Sequence, residues 1–308
     1  MLKDETAGDP MNDRKWQRSS LRRVAEQLAE VGYRISQTTL KRLLEEMRYS
    51  LKANVKRLAG SSHPDRERQF EYITGQRHRF EANGMPVISV DTKKKELIGN
   101  FKNPGQTWRQ IADAVNDHDF EHDALGKAVP YGIDDLKHNR GHVYVGQSAD
   151  APQFAVDNIV RWWTEEGQFL YPHTNKLLIL ADAGGSNGCR PRLWKVHIQE
   201  QLADRLGLEV TVCHYPTGTS KWNPIEHRLF SMISINWAGK PLRTFEFLLA
   251  CIRGAKTDTG LQIKATLIED VYEKGIQIAK TAMDTLCIEM HAVCPRWNYT
   301  IRPRLSSV

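Results

Sequence analysis

Two mostly apolar runs, each stopped by an aspartate, constrain this chain more than any other feature. Val87-Ile88-Ser89-Val90 ends at Asp91, and Leu177-Leu178-Ile179-Leu180-Ala181 ends at Asp182, just before Gly184, Gly185 and Gly188. Short apolar runs of this kind read as strands buried in a sheet that helices cover. A carboxylate at such a strand end cannot sit in an apolar layer without a compensating cation. A third acid, Glu226, falls in the first turn of a helix opened by Asn223-Pro224. Two strand-end aspartates and a helical glutamate on one scaffold are what a paired Mg²⁺ site needs, and Mn²⁺ would substitute. Such a site cuts and joins phosphodiesters.

A length of 308 residues leaves room for one large domain and a small one. The five cysteines, Cys189, Cys213, Cys251, Cys287 and Cys294, form no C-x-x-C pair, which argues against a disulfide framework or structural zinc. No apolar run approaches a membrane span, and MLKDETAGDP is no signal peptide, so a cytoplasmic protein is expected. Net charge is +6, and its placement matters more than its size. Residues 1–80 hold 17 Lys and Arg against 11 Asp and Glu, while the remaining 228 hold 26 of each. A local basic excess suits a polyanion such as DNA, which would place the protein at the nucleoid.

Within that basic quarter, Leu21, Val24, Ala25 and Leu28 are spaced as one helix face, and Gly32 allows a left-handed C-cap. Ser36 can cap a second helix carrying Leu40, Leu43, Leu44 and Met47, whose other face shows Gln37, Thr38, Lys41 and Arg42. Two short amphipathic helices, the second polar and basic outside, suggest a helix-turn-helix with a recognition helix. Lys52, Asn54, Lys56 and Arg57 come next, within reach of backbone phosphates. The alternative is a plain αα-hairpin with a solvated charged face. Residues 1–16 show no apolar periodicity, so the first helix of such a domain is expected to be missing, or another subunit covers the exposed core. The expected organisation is a small all-α helix-turn-helix domain over 1–61, a linker helix over 62–85 and a catalytic domain over 86–308.

In that last segment strands are expected at Val87–Asp91, Glu96–Phe101, His142–Gly146, Lys176–Ala181 and Glu209–Cys213. Thr92-Lys93-Lys94-Lys95 is short enough to join the first two as a hairpin. Helices are expected over Pro152–Trp163, Pro191–Leu206 and from Asn223 onward. The order predicts an α/β fold, a mixed sheet flanked by helices as in ribonuclease H-like nucleotidyl transferases.

The segments GNFKNPGQTWR (99–109), NDHDF (116–120), GKAVPYGI (126–133), RWWTEEG (161–167), LLILADAGGSNG (177–188) and TGTSKWNPIEHRLFSMISINW (217–237) resemble the Rhodopirellula-type DDE transposases of bacterial insertion sequences. The similarity runs from about residue 8 to Thr300, and the Asn-Pro-Ile-Glu run is similar to the wider mariner-like group. The resemblance implies a DNA transposase that cleaves element ends and joins their 3′-OH to target DNA, acting as a dimer or larger assembly. By position, Asp91, Asp182 and Glu226 fall on the family's three metal-binding acids. Two departures stand out: Ala183 occupies a position where the family usually has glycine, and family members usually begin upstream of Met1, which implies a missing amino-terminal segment.

Further residues are candidates for this site or are weighed beside it. Gly184 to Gly188 could let backbone approach a phosphate; a dinucleotide loop with Asp204 as ribose partner is a rival, but the glycine spacing is wrong. Asn223 could position the Glu226 carboxylate, touch a phosphate, or N-cap the helix. Lys221 and Arg228 are phosphate candidates, with a surface acid as the other partner for Arg228. Trp222, in a polar loop, could stack on a base or pack inward. Trp108, Trp162, Trp163, Trp194, Trp237 and Trp297 read as core. His118 and His122 lack a convincing third ligand and read as non-metal. A DNA-binding remnant that represses transposition, or a resident metal nuclease, would share most of these features.

Overall fold

The computed structural model describes residues 6–8, 15–17, 20–47, 49 and 63–304. Lys52, Lys56 and Arg57 lie outside the described residues. The chain forms two compact units, Met1–Ala59 and Gly60–Val308.

In the first unit, strands β1 (Thr6–Gly8) and β2 (Lys15–Gln17) pair antiparallel. Helices α1 (Leu21–Glu30) and α2 (Gln37–Glu46) come after them. Their start signals lie in the sequence: Ser20 Oγ accepts from Arg23 N, and Ser36 Oγ accepts from Thr39 N. Gly32 takes φ +95° after α1, a conformation that favours glycine. Val24 and Leu40 are buried, whereas Leu43 and Met47, expected on the same apolar face, are exposed.

The second unit begins with α3 (Arg66–Ala82), followed by β3 (Val87–Thr92), β4 (Glu96–Ile98), β5 (Gly126–Asp135) and β6 (Arg140–Gly146). Helix α4 (Pro152–Trp162) runs through a π-helical stretch, Trp163–Gly167, into α5 (Gln168–Leu170). Strand β7 (Lys176–Asp182) precedes α6 (Arg192–His197), a second π stretch, Ile198–Asp204, and β8 (Glu209–Tyr215). A third π stretch, Glu226–Phe230, leads into α7 (Ser231–Asn236). Then come α8 (Phe245–Arg253), β9 (Gln262–Ile268), α9 (Lys280–Met283), β10 (Ile288–Met290) and β11 (Asn298–Ile301).

Strands β3 to β11 form one mixed sheet in the order β10-β11-β8-β7-β3-β5-β6-β9, with β4 beside β5. At its centre β5 and β6 run antiparallel on one side of β3, and β7 and β8 run parallel on the other. This is a mixed sheet flanked by helices, as the sequence implies. The expected hairpin between Val87–Asp91 and Glu96–Phe101 is not formed. β4 pairs instead with Gly126–Ala128, and β5 takes the place beside β3. β5 escapes sequence reading because it carries Pro130 and two glycines, residues that argue against a central strand.

Strand periodicity splits the core between the two faces. Leu177, Ile179 and Ala181 join Ile88 and Val90 under α4 and α6. Leu178 and Leu180 join Val87 on the other face, where Ile73 and Phe80 of α3 cover them. The helix read as a linker is therefore packed into the second unit. A reciprocal amide pair fixes it there: Gln69 Nε2 donates to Asn298 Oδ1 (2.8 Å) and His214 O (2.9 Å), and Asn298 Nδ2 donates to Gln69 Oε1 (2.6 Å). Among the described residues no helix is long and apolar enough to cross a membrane.

Candidate active site

Val90 pairs with Ala181 across the parallel β3–β7 ladder, so Asp91 and Asp182 sit side by side where the two strands end. Strand spacing alone puts their backbones about 5 Å apart. Alternation turns Ser89 and Asp91 to the face opposite Ile88 and Val90, toward the helix that carries Glu226.

That helix is latched to the strands by two side chains, Asn223 and Ser89. Asn223 is fully buried, and its Nδ2 donates to Val90 O and Asp182 Oδ1, both at 3.2 Å. Its Oδ1 accepts from Ser89 Oγ at 2.5 Å, while Ser89 Oγ accepts from Ile225 N at 3.1 Å. Of the roles read from sequence, the Asn223 side chain takes the positioning one, but on Asp182 rather than on Glu226. Its backbone carbonyl still receives Glu226 N. Sequence reasoning passed over Ser89, although a lone hydroxyl inside Val-Ile-Ser-Val was the available signal.

The acids are half-buried and share one electrostatic environment. Burial, and next the Asp182 carboxylate, push Asp91 up to about 8; Glu226 and Asp150 add to this, and the Thr92 N–H that donates to Asp91 Oδ1 (2.7 Å) opposes it. Burial raises Asp182 to about 6, with Glu226 adding and the Asn223 hydrogen bond opposing. Glu226 is also raised by burial, against the pull of Lys93 and His227. These directions share one cause, carboxylates gathered in a poorly solvated place without enough positive charge. Among the described residues, no three His, Cys, Asp or Glu side chains stand as a cluster that could hold a metal ion as it is. The donor set nevertheless suits a hard divalent cation, because it is carboxylate oxygen throughout. The Tyr131 hydroxyl, fully buried and within the field of Asp91 and Asp150, has no hydrogen-bond partner.

Thr92, Asp150 and Lys93 were not legible as site residues. Thr92 Oγ1 donates to Asp150 Oδ1 at 3.0 Å, bringing a fourth carboxylate to the rim. Lys93 pairs with Glu96 at 3.3 Å and lies 4.5 Å from the centre of the Trp237 ring. The 183–189 loop folds back tightly: a Cβ on Gly188 would meet Ala183 O at 2.8 Å. Gly185 takes φ +76°, but Ala183 needs no left-handed backbone, so alanine fits there.

The remaining candidates fall into separate places. Gln37, Thr38, Lys41 and Arg42 are exposed on α2 in the first unit. Lys221 and Trp222 are exposed on the Ser220–Trp222 turn, one residue from Asn223. Arg228 pairs with the buried Asp134 at 2.7 Å and donates to Asn139, so a protein acid takes its guanidinium. Trp162, Trp163, Trp194, Trp237 and Trp297 are buried as expected, but Trp108 is wholly exposed.

A family model, that of the Rhodopirellula transposase DDE domain, matches residues 1–303. The chain belongs to this family. No curated protein matches it. Among solved structures, this family member is similar to the Mos1 transposase paired-end complex with left transposon end, at 15% identity and a TM-score of 0.43, covering 74% of this chain and 64% of that one. A pre-cleavage Mos1 transpososome is similar at 14% identity and 0.45, covering 76% and 70%. The Mos1 mariner paired end complex with Mn gives 15% and 0.42, covering 76% and 70%. The transposase-family chain thus spans less than two thirds of the first Mos1 chain.

Proposed function

We propose that this protein is the DNA transposase of an insertion sequence, cleaving element ends and joining their 3′-OH to target DNA at Asp91, Asp182 and Glu226. One observation carries the reading. In a chain of the DDE transposase family, two neighbouring strand ends and one helix bring three carboxylates into a shared, charge-deficient environment. Mg²⁺ held by these three, two ions per site with Mn²⁺ able to substitute, would activate water or a 3′-hydroxyl and stabilise the leaving oxygen.

The protein's own residues hold the geometry. The Thr92 N–H fixes one oxygen of Asp91, and Asn223 fixes one oxygen of Asp182. Ser89 ties Asn223 and the backbone of Ile225 to β3, so Glu226 enters the site from a helix whose start cannot drift. No covalent protein intermediate is needed. In this reading α2 offers Gln37, Thr38, Lys41 and Arg42 to the element ends, Lys52, Lys56 and Arg57 add phosphate contacts, and Lys221 and Trp222 lie beside the reacting strand. Two ends must meet, so the working form is a dimer or larger on DNA, in the cytoplasm at the nucleoid.

The test is cleavage and strand transfer by the purified protein on DNA from its own gene's flanks, with Mg²⁺ or Mn²⁺. Asp182→Asn should abolish products while leaving DNA affinity nearly intact. Equal activity in the variant would sink the metal-site assignment, and binding without products from the wild type would favour a repressor-like remnant.

A further inference from the structure

We propose that the groove between the start of α3 and the Ser220–Trp222 turn takes an unpaired base of a DNA strand, with Trp222 as the stacking face and Arg66 and Lys221 as phosphate partners. This rests on the DNA reading above and names the part of the substrate that this face receives.

The groove encloses about 600 Å³ and is lined by His63, Pro64, Arg66, Glu67, Phe70 and Trp222. That size lies within the range of small-ligand sites. Trp222 is 52% exposed, whereas the five tryptophans of the surrounding core are buried. The indole is held from two sides. The Phe70 ring meets it edge-on at 5.9 Å, and Lys221 Nζ lies 5.3 Å from its ring centre. The Arg66 guanidinium sits 5.8 Å from the centre of the Phe70 ring. Cations around an open aromatic face, with Glu67 the lone acid of the lining, match a base and its phosphate better than an apolar side chain.

Position supports the same occupant. Trp222 N donates to Thr219 O and Asn223 N donates to Ser220 O, both at 2.8 Å, so the turn is tight. Asn223, the next residue, is bonded to Asp182. A strand whose scissile phosphate lies at the acids would therefore carry its neighbouring bases past this indole. Bases inside a duplex have both faces stacked, and only an unpaired or extruded base can offer one to Trp222.

The experiment measures binding of the full chain, without divalent metal, to two DNA probes. One is a blunt duplex; the other is the same duplex with a short single-stranded extension bearing a fluorescent adenine analogue. The wild type should prefer the extended probe by roughly tenfold, with quenching of the analogue. Trp222→Ala should remove both the preference and the quenching. Trp222→Phe, which keeps a ring, should retain most of each and shows that the alanine effect is not unfolding. Arg66→Ala should flatten the salt dependence by about one counterion. If Trp222→Ala keeps the preference, or the wild type binds both probes equally, the groove assignment falls and the DNA reading stands. If the wild type binds neither probe, both fall.

Discussion

Replacing Gln69 with leucine keeps the volume of the side chain but cuts the amide pair that fixes α3 to the sheet. The wild-type amide donates to Asn298 Oδ1 and His214 O and accepts from Asn298 Nδ2, all inside the protein. The leucine leaves Asn298 Oδ1 and the His214 carbonyl without this donor, while Asn298 Nδ2 keeps Val293 O at 2.8 Å. A buried polar group stranded in this way costs about 1–3 kcal/mol, so two of them, less the gain from a buried aliphatic chain, give a loss of about 2–4 kcal/mol. Asn298→Leu should cost a similar amount for the mirror-image reason. The double variant removes both partners, so its cost should fall short of the sum of the singles by about 1–2 kcal/mol. Urea unfolding monitored by tryptophan fluorescence, with slopes compared across the variants, reads all three values. Strict additivity would refute the argument, because it would mean that the two amides do not depend on each other.

Gly132→Ala should lower stability by about 1–3 kcal/mol, since its Cβ would stand 2.5 Å from Phe230 and 2.7 Å from Ile225; an unchanged melting temperature would contradict that packing. His214 is fully buried, and burial holds it down to about 4 against the opposing pull of the Trp297 and Asn187 carbonyls that face its two ring nitrogens. Between that value and the ordinary 6.5 the unfolded chain binds the extra proton, so this contribution is full above pH 6.5 and is lost as pH falls toward 4, by roughly 3 kcal/mol. His214→Gln should lack that component, and parallel stability–pH curves for the two proteins would argue against it. Lys41→Ala with Arg42→Ala removes two exposed cations paired with Glu45 and Glu46 on the same helix. Salt titration of DNA binding should then show a slope smaller by up to about two counterions, and an unchanged slope would take both residues off the DNA surface.

Much of the fold was legible because burial writes itself into strands as mostly apolar runs. Val87–Val90, Leu177–Ala181 and the strand from Glu209 were readable for that reason, and Ser36 with Gly32 marked the two short helices. β5 was not, because Pro130 and Gly132 speak against a strand. The sheet tolerates them for local reasons: Pro130 lies just past the Thr92–Tyr131 pair where the β3–β5 ladder ends, and Gly132 gives room to Phe230. The acids themselves could be read, since a charge that ends an apolar run needs an explanation. Their support could not. Asn223 contacts Asp182 across 41 positions of sequence and Val90 across 133, and no local pattern encodes such partners. Arg228 shows the same limit in reverse, as its acid Asp134 lies in the strand that went unread.

The π stretch at Glu226–Phe230 gives this segment one residue more than an α-helix of the same course would need. A deletion within 227–230 that lets the helix regularise would shed that surplus residue and leave Glu226 on one side, and Ile233 on the other, in their present directions. Removing a residue from the regular turns of α7 meets no such surplus, and the parts of the helix on either side would turn by about 100° relative to each other. Leu229, Phe230 and Ile233 make the core contacts that such a turn would break. The wide turn is a place where this helix can lose a residue and the Glu226 carboxylate keep its aim.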